Sequence, residues 1–165
     1  MKYLKIFLII GLLFIAGVSD AKTIIVMQFS GVINPIASTF FIRGISQAEE
    51  EKAECIIIEV DTPGGLDTSM RQIVQKILDS KVTVIFYVYP KGARAASAGL
   101  FIALSCDYIA MASGTNFGAA HPVDISGGTV SDKVTNDAAA YIRSLAGKRG
   151  RDIKWAEDAV RKSVS

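Results

Sequence analysis

From Thr23 onward the chain alternates short unbroken apolar runs with segments whose apolar residues return every three or four positions. Thr23–Phe29 (TIIVMQF) is β-branched and apolar, which predicts a buried strand. Asn34-Pro35 then offers a helix cap followed by proline at the first helical position. Ile36, Phe40, Phe41, Ile45 and Ala48 recur at helical spacing up to the solvated run Glu49–Glu51. Cys55–Val60 is a second apolar run, stopped by Asp61-Thr62-Pro63-Gly64-Gly65. Leu66–Ser80 sets Met70, Ile73, Val74, Ile77 and Leu78 on one helical face, and Val82–Tyr89 (VTVIFYVY) reads as a third buried strand. Beyond the loop Pro90–Gly99, the pattern predicts a helix over Ser97–Ser105 and a short strand over Asp107–Met111. Gly118–Asp132, rich in glycine and polar residues, reads as a mobile loop before helices over Val134–Lys148 and Ile153–Lys162.

Strand and helix alternate with short links, which predicts an α/β fold with a largely parallel sheet flanked by helices on both faces. In such sheets functional groups gather at the carboxyl ends of the strands, here Asp61–Gly65 and Pro90–Gly99. Gly64 and Gly65 carry no side chain, so their amides can turn toward a bound carbonyl. Ser97 stands where a helix begins, among the small residues Ala96, Ala98 and Gly99. That setting exposes a hydroxyl, offers the Ala98 amide as a further donor and brings the positive helix end to any charge that forms. Either loop alone reads as a tight turn or a close helix contact. Together at one sheet edge they suggest acyl transfer.

The N-terminus belongs to a different kind of segment. Lys2 and Lys5 precede the apolar run Ile6–Val18, and the small residues Ser19 and Ala21 follow it. The run is shorter than the roughly 20 apolar residues of a comfortable membrane span and fits a signal-peptide core. The expected division is a signal peptide over 1–21 and one domain over 22–165, working on the extracytoplasmic side; an uncleaved anchor is the other reading. With 18 basic and 16 acidic residues spread along the chain, the net charge of +2 does not mark a nucleic-acid binder. Cys55 and Cys106 both sit in apolar runs and read as buried hydrophobes, with no disulfide between them predicted. A single histidine and no third ligand near the cysteines argue against a metal site, and no cofactor is expected.

Four stretches, DTPGG (Asp61–Gly65), GARAASAGLFIA (Gly92–Ala103), FGAAHPV (Phe117–Val123) and KVTNDAAAYIRSLA (Lys133–Ala146), together resemble the NfeD family of membrane-associated serine proteases. That family falls within the wider ClpP/crotonase-like fold, alongside signal peptide peptidase A. The resemblance implies an oligomeric α/β serine protease with a Ser-Lys dyad that cleaves apolar segments, such as the hydrophobic tail of a stomatin-like partner. Residue by residue it makes Ser97 the nucleophile, Lys133 the general base, and the Gly65 and Ala98 amides the oxyanion donors. A lysine amine ordinarily keeps its proton until about pH 10, so such a base needs an apolar pocket that favours the neutral form. Ala138–Ala140 would suit that pocket. His121 is the rival base, since imidazole titrates near neutrality and the cytoplasmic ClpP proteases use a histidine near this segment. Lys91 and Arg94 read as solvated loop charge, with a substrate carboxylate as the alternative. Longer members of the family continue into membrane helices and a small β-barrel domain, so a C-terminal span is not implied for a chain ending at Ser165. Two other functions fit the pattern: a non-catalytic module that binds the stomatin-like partner, and a crotonase-like acyl-thioester enzyme.

Overall fold

The computed structural model describes residues 22–123 and 130–165. The signal segment expected over 1–21 lies outside the described residues, as does 124–129 within the expected mobile loop. Four parallel strands make the main sheet: β1 (Ile24–Ser30), β2 (Cys55–Asp61), β3 (Thr83–Val88) and β5 (Tyr108–Met111), in the order β1-β2-β3-β5. Crossovers run through α1 (Pro35–Glu50), α2 (Asp67–Leu78) and α3 (Ala98–Ser105). A second parallel pair joins β4 (Arg94–Ala96), within the loop expected over Pro90–Gly99, to β6 (Asn116–Gly118), which the sequence pattern assigns to no strand. Three residues each are too few to show an alternation. Two helices, α4 (Asp132–Lys148) and α5 (Ile153–Arg161), complete the chain.

Local chemistry sets these boundaries. The Asn34 side chain accepts from the Ala37 amide at 2.9 Å and Pro35 opens α1. α5 starts in the same manner, with the Asp152 side chain accepting from the Trp155 amide at 2.9 Å. α3 is apolar on every side and all eight of its residues are buried. Its terminal carbonyls are satisfied by arginines from the α4–α5 connection: Arg149 donates to Ser105 at 2.7 Å, and Arg151 to Leu104 at 2.6 Å and Cys106 at 2.8 Å.

Burial corrects three expectations. On β2 and β3 only alternate residues are fully buried, Ile56, Ile58 and Val60 with Val84, Phe86 and Val88, and these pack on the helices. The opposite sheet face carries an apolar row in register, Val26–Ile57–Ile85–Tyr108. Its central pair is half-buried and its ends are 58% and 64% exposed. The sheet is therefore parallel but covered chiefly on one face, whereas continuous apolar strands predict cover on both. On α1, Ile36 and Phe40 face out at 80% and 42% exposure, while Ala37 and Ser38 face in. With Phe29 and Val32 they line a shallow groove beside the open edge of β1. Cys55 is half-buried rather than buried, and both cysteines are free.

Cys106 is fully buried, and burial pushes its thiol up to about 12. The reactive thiolate is therefore missing well above neutral pH. A thiol reagent at about pH 8 is expected to modify Cys55 in the folded protein and spare Cys106 until the chain is unfolded. Mass spectrometry of the labelled native protein checks this; a second adduct without unfolding would contradict it.

Candidate active site

Two loops leave the carboxyl edge of the sheet side by side. The first follows β2 as Thr62-Pro63-Gly64-Gly65, and the second is β4, Ser97 and the start of α3. They are joined by main-chain pairing: the Thr62 amide donates to the Arg94 carbonyl at 2.7 Å, and the Ala96 amide donates back to the Thr62 carbonyl at 3.1 Å. Arg94 is held again by its own amide, which donates to the Asp61 carboxylate at 3.1 Å.

Ser97 is half-buried and has a backbone at φ 52°, ψ −118°. This is the first central position of a type II′ turn, normally filled by glycine. A serine there costs about 1–3 kcal/mol, which the surroundings must over-determine. They do so from three sides. The Ser97 amide donates to the Gly118 carbonyl of β6 at 3.2 Å, its carbonyl accepts from Leu100 at 2.9 Å, and α3 behind it is buried along its whole length. The strained turn aims the side chain at the first loop: a Cβ built on Gly64 would fall 2.5 Å from Ser97 Cβ and 3.1 Å from Ser97 Oγ. Any residue larger than glycine at position 64 would occupy the space in front of the hydroxyl.

The amides divide clearly. Gly64 N–H donates to Thr62 Oγ1 at 3.1 Å, so it is already engaged. Among the described residues, Gly65 N–H and Ala98 N–H find no acceptor. Ala98 opens α3, where the first amides have no partner within the helix. Ser97, Gly64, Gly65 and Ala98 thus meet in one place.

The two candidate bases do not join them directly. Lys133 is exposed in the first turn of α4, after the undescribed 124–129, and no hydrogen bond links it to Ser97 among the described residues. His121 is half-buried, and its Nδ1 donates to the Val160 carbonyl of α5 at 2.9 Å, a bond that fixes the proton on that nitrogen. Lys91 and Arg94 lie exposed on their loop. No group of three or more histidine, cysteine, aspartate or glutamate side chains able to hold a metal occurs among the described residues.

A clamp that sequence patterning does not reveal ties the helix of Lys133 to the helices that follow the two loops. Arg71 of α2 bonds Asp67 at 2.9 Å and reaches Asp137 of α4 at 2.5 Å, one turn beyond Lys133. Its guanidinium lies 4.4 Å from the centroid of the Tyr141 ring, which in turn stacks on Phe101 of α3 at 5.9 Å. Burial raises the Tyr141 hydroxyl above its ordinary pKa. One stack therefore spans the helix after the glycine loop, the helix after Ser97 and the helix carrying Lys133.

A parallel α/β sheet flanked by helices, with a strained serine at a strand-to-helix turn beside a glycine pair, defines the class of this domain. ClpP1 from Listeria monocytogenes has a similar fold, at a TM-score of 0.62 and 20% identity over 81% of this chain and 77% of that one. The chain belongs to the NfeD1b family: the model of the NfeD1b N-terminal domain matches residues 23–165. It is 46% identical to the membrane-bound protease PH1510 of Pyrococcus horikoshii over 162 residues, which is 94% of this chain and 37% of that protein. It is 34% identical to the membrane protein NfeD1b of Bacillus subtilis over 138 residues, 84% of this chain and 31% of that one. The chain thus spans about a third of the length of these curated relatives. Among solved structures, it resembles a lysine-to-alanine form of the 1510-N membrane-bound stomatin-specific protease in complex with a substrate peptide. That match has a TM-score of 0.84 and 44% identity, covering 88% of this chain and 68% of the other. A serine-to-alanine form of the same protease matches equally well and is covered over 72% of its length. No helix among the described residues is long and apolar enough to cross a membrane.

Proposed function

We propose that this domain is a serine endopeptidase that cuts apolar peptide segments through an acyl-enzyme. The observation that carries the reading is Ser97, held in a costly backbone conformation that points its hydroxyl past a side-chain-free Gly64. Ser97 Oγ attacks the scissile carbonyl carbon while Lys133 Nζ, in its neutral form, takes the hydroxyl proton. The Gly65 and Ala98 amides receive the charge that forms on the carbonyl oxygen. Collapse of the intermediate breaks the C–N bond, and the lysine returns its proton to the departing amine. Water then hydrolyses the ester by the same proton exchange.

The relatives support the partner as well as the chemistry. Solved forms of the stomatin-specific protease carry alanine in place of a serine and of a lysine, the residue types assigned here. The substrate we assign is therefore an apolar segment of a stomatin-like protein. Self-association is assigned to the open sheet face around Ile57 and Ile85, since parallel sheets are ordinarily covered on both faces. Residues 1–21 are read as the export signal, which places the domain on the extracytoplasmic side, beside the membrane.

A non-catalytic binding module is the second reading, favoured by the exposed Lys133 that is not bonded to Ser97 among the described residues. Incubating the purified chain with an apolar peptide and, separately, with a fluorophosphonate decides between them. The peptidase reading expects cleavage, a phosphonyl adduct on Ser97, and the loss of both in Ser97→Ala. Peptide binding with neither cleavage nor adduct would establish the binding module instead.

A further inference from the structure

We propose that Thr62 is a positioning residue for catalysis, whose hydroxyl sets which amide of the glycine loop faces the reacting carbonyl. The inference rests on the peptidase reading and adds a residue to it. Thr62 is completely buried, where an unbonded hydroxyl is costly. Its Oγ1 donates to the Gly31 carbonyl at the end of β1, at 2.7 Å, and accepts from Gly64 N–H at 3.1 Å. The main chain of the same residue is paired on both sides with β4, the strand that leads into Ser97. Its methyl carbon Cγ2 lies 2.6 Å from where a Cβ on Gly99 would stand, in the first turn of α3. One side chain therefore joins the end of β1, the glycine loop and the helix behind the nucleophile.

The consequence for the loop follows from peptide geometry. Thr62 Oγ1 takes the Gly64 amide, and the Gly64 carbonyl is taken by the Ile33 amide at 2.8 Å. The Gly64–Gly65 peptide is trans, so the Gly65 N–H must point opposite to that carbonyl, away from Ile33. Both ends of the Gly64 unit are pinned, and the Gly65 amide is left as the loop's available donor. Without the Thr62 hydroxyl, Gly64 N–H loses its acceptor, and glycine is the residue that can most easily rotate to find another. The Gly65 donor is then held by the Ile33–Gly64 bond alone and loses the fixed orientation that charge stabilisation requires, while the surface that binds peptide stays in place.

The test is the rank order of kcat and KM on an apolar peptide, with the fluorophosphonate labelling rate of Ser97, in Thr62→Ser, Thr62→Val and Thr62→Ala. Assays are run at a temperature where circular dichroism reports each variant folded. Serine keeps the hydroxyl and loses the methyl; valine does the reverse; alanine loses both and stands in if the valine variant does not fold. The expected result is kcat within about threefold of the parent for Thr62→Ser and about a hundredfold lower for Thr62→Val and Thr62→Ala, with KM little changed and labelling slowed in parallel. An order that follows side-chain size, with valine near the parent and serine impaired, overturns the proposal while leaving an active peptidase. A parent chain that neither cleaves nor is labelled rejects the peptidase reading and this proposal with it.

Discussion

Replacing Lys133 with alanine is expected to lower the rate of peptide cleavage about a hundred- to ten-thousandfold, whereas His121→Ala stays within a few-fold of the parent. The difference comes from where each side chain is committed. His121 spends its Nδ1 proton on the Val160 carbonyl, and its neighbour Ala120 donates to Ala159 at 2.9 Å, so this segment docks on α5. Removing that imidazole is expected to cost about 1 kcal/mol of stability and little catalysis. Lys133 sits instead on the helix whose next turn is clamped through Asp137 and Arg71 to α2, the helix that leaves the glycine loop. Lys133→Arg is expected to stay inactive, because a guanidinium cannot release its proton to act as a base. The measurement is kcat on an apolar peptide, with thermal unfolding to confirm that each variant is folded. A dead His121→Ala beside an active Lys133→Ala would move the base role to the histidine.

What the sequence makes legible here is whatever is local. Continuous runs such as Cys55–Val60 fix strands, and Asn34-Pro35 fixes the start of a helix, because cap and propensity act within a few residues. The placement of Ser97 at a helix start is legible for the same reason. Side-chain direction is less so: Ile36 and Phe40 share helical spacing with Phe41 and Ile45, yet face out, since spacing does not say how wide the covered stripe is. Pairings between distant segments are not legible at all. β4 meets β6 across a long stretch of chain with almost no side-chain signature, and that meeting holds the Ser97 amide. Thr62 is the instructive omission. A hydroxyl directly after an apolar strand is a visible signal, but its partners Gly31 and Gly64 are known only once the loop has folded. The candidate site is thus readable as residue types and unreadable as a hydrogen-bond network.

The network also explains why a single methyl group is expected to do heavy damage at Gly65, although that residue is itself exposed. A Cβ added there would stand 2.1 Å from the Ile33 carbonyl oxygen and 2.6 Å from the Ile33 nitrogen. Both atoms belong to the main chain, so no rotamer change can make room. The obstructed segment is also the one that pairs with the loop, through Ile33 N–H to Gly64 and Leu66 N–H to Ile33, each at 2.8 Å. Alanine at 65 must therefore push apart the pairing that orients the loop's free amide. The expected cost is about 3 kcal/mol or more, from overpacking together with the loss of two backbone hydrogen bonds. In a chain of this size that lowers the melting temperature by about 6–12 °C. Gly147→Ala is the matched control: the same added atom, in α4, meets nothing closer than 3.5 Å. Because alanine loses less backbone entropy than glycine in a helix, that variant is expected to gain about 0.5–1 kcal/mol. Opposite shifts in the two unfolding curves would trace the sensitivity to the Ile33–Gly65 contact, whereas equal, small shifts would mean that the loop can yield and that its amide is not held by the Ile33 segment.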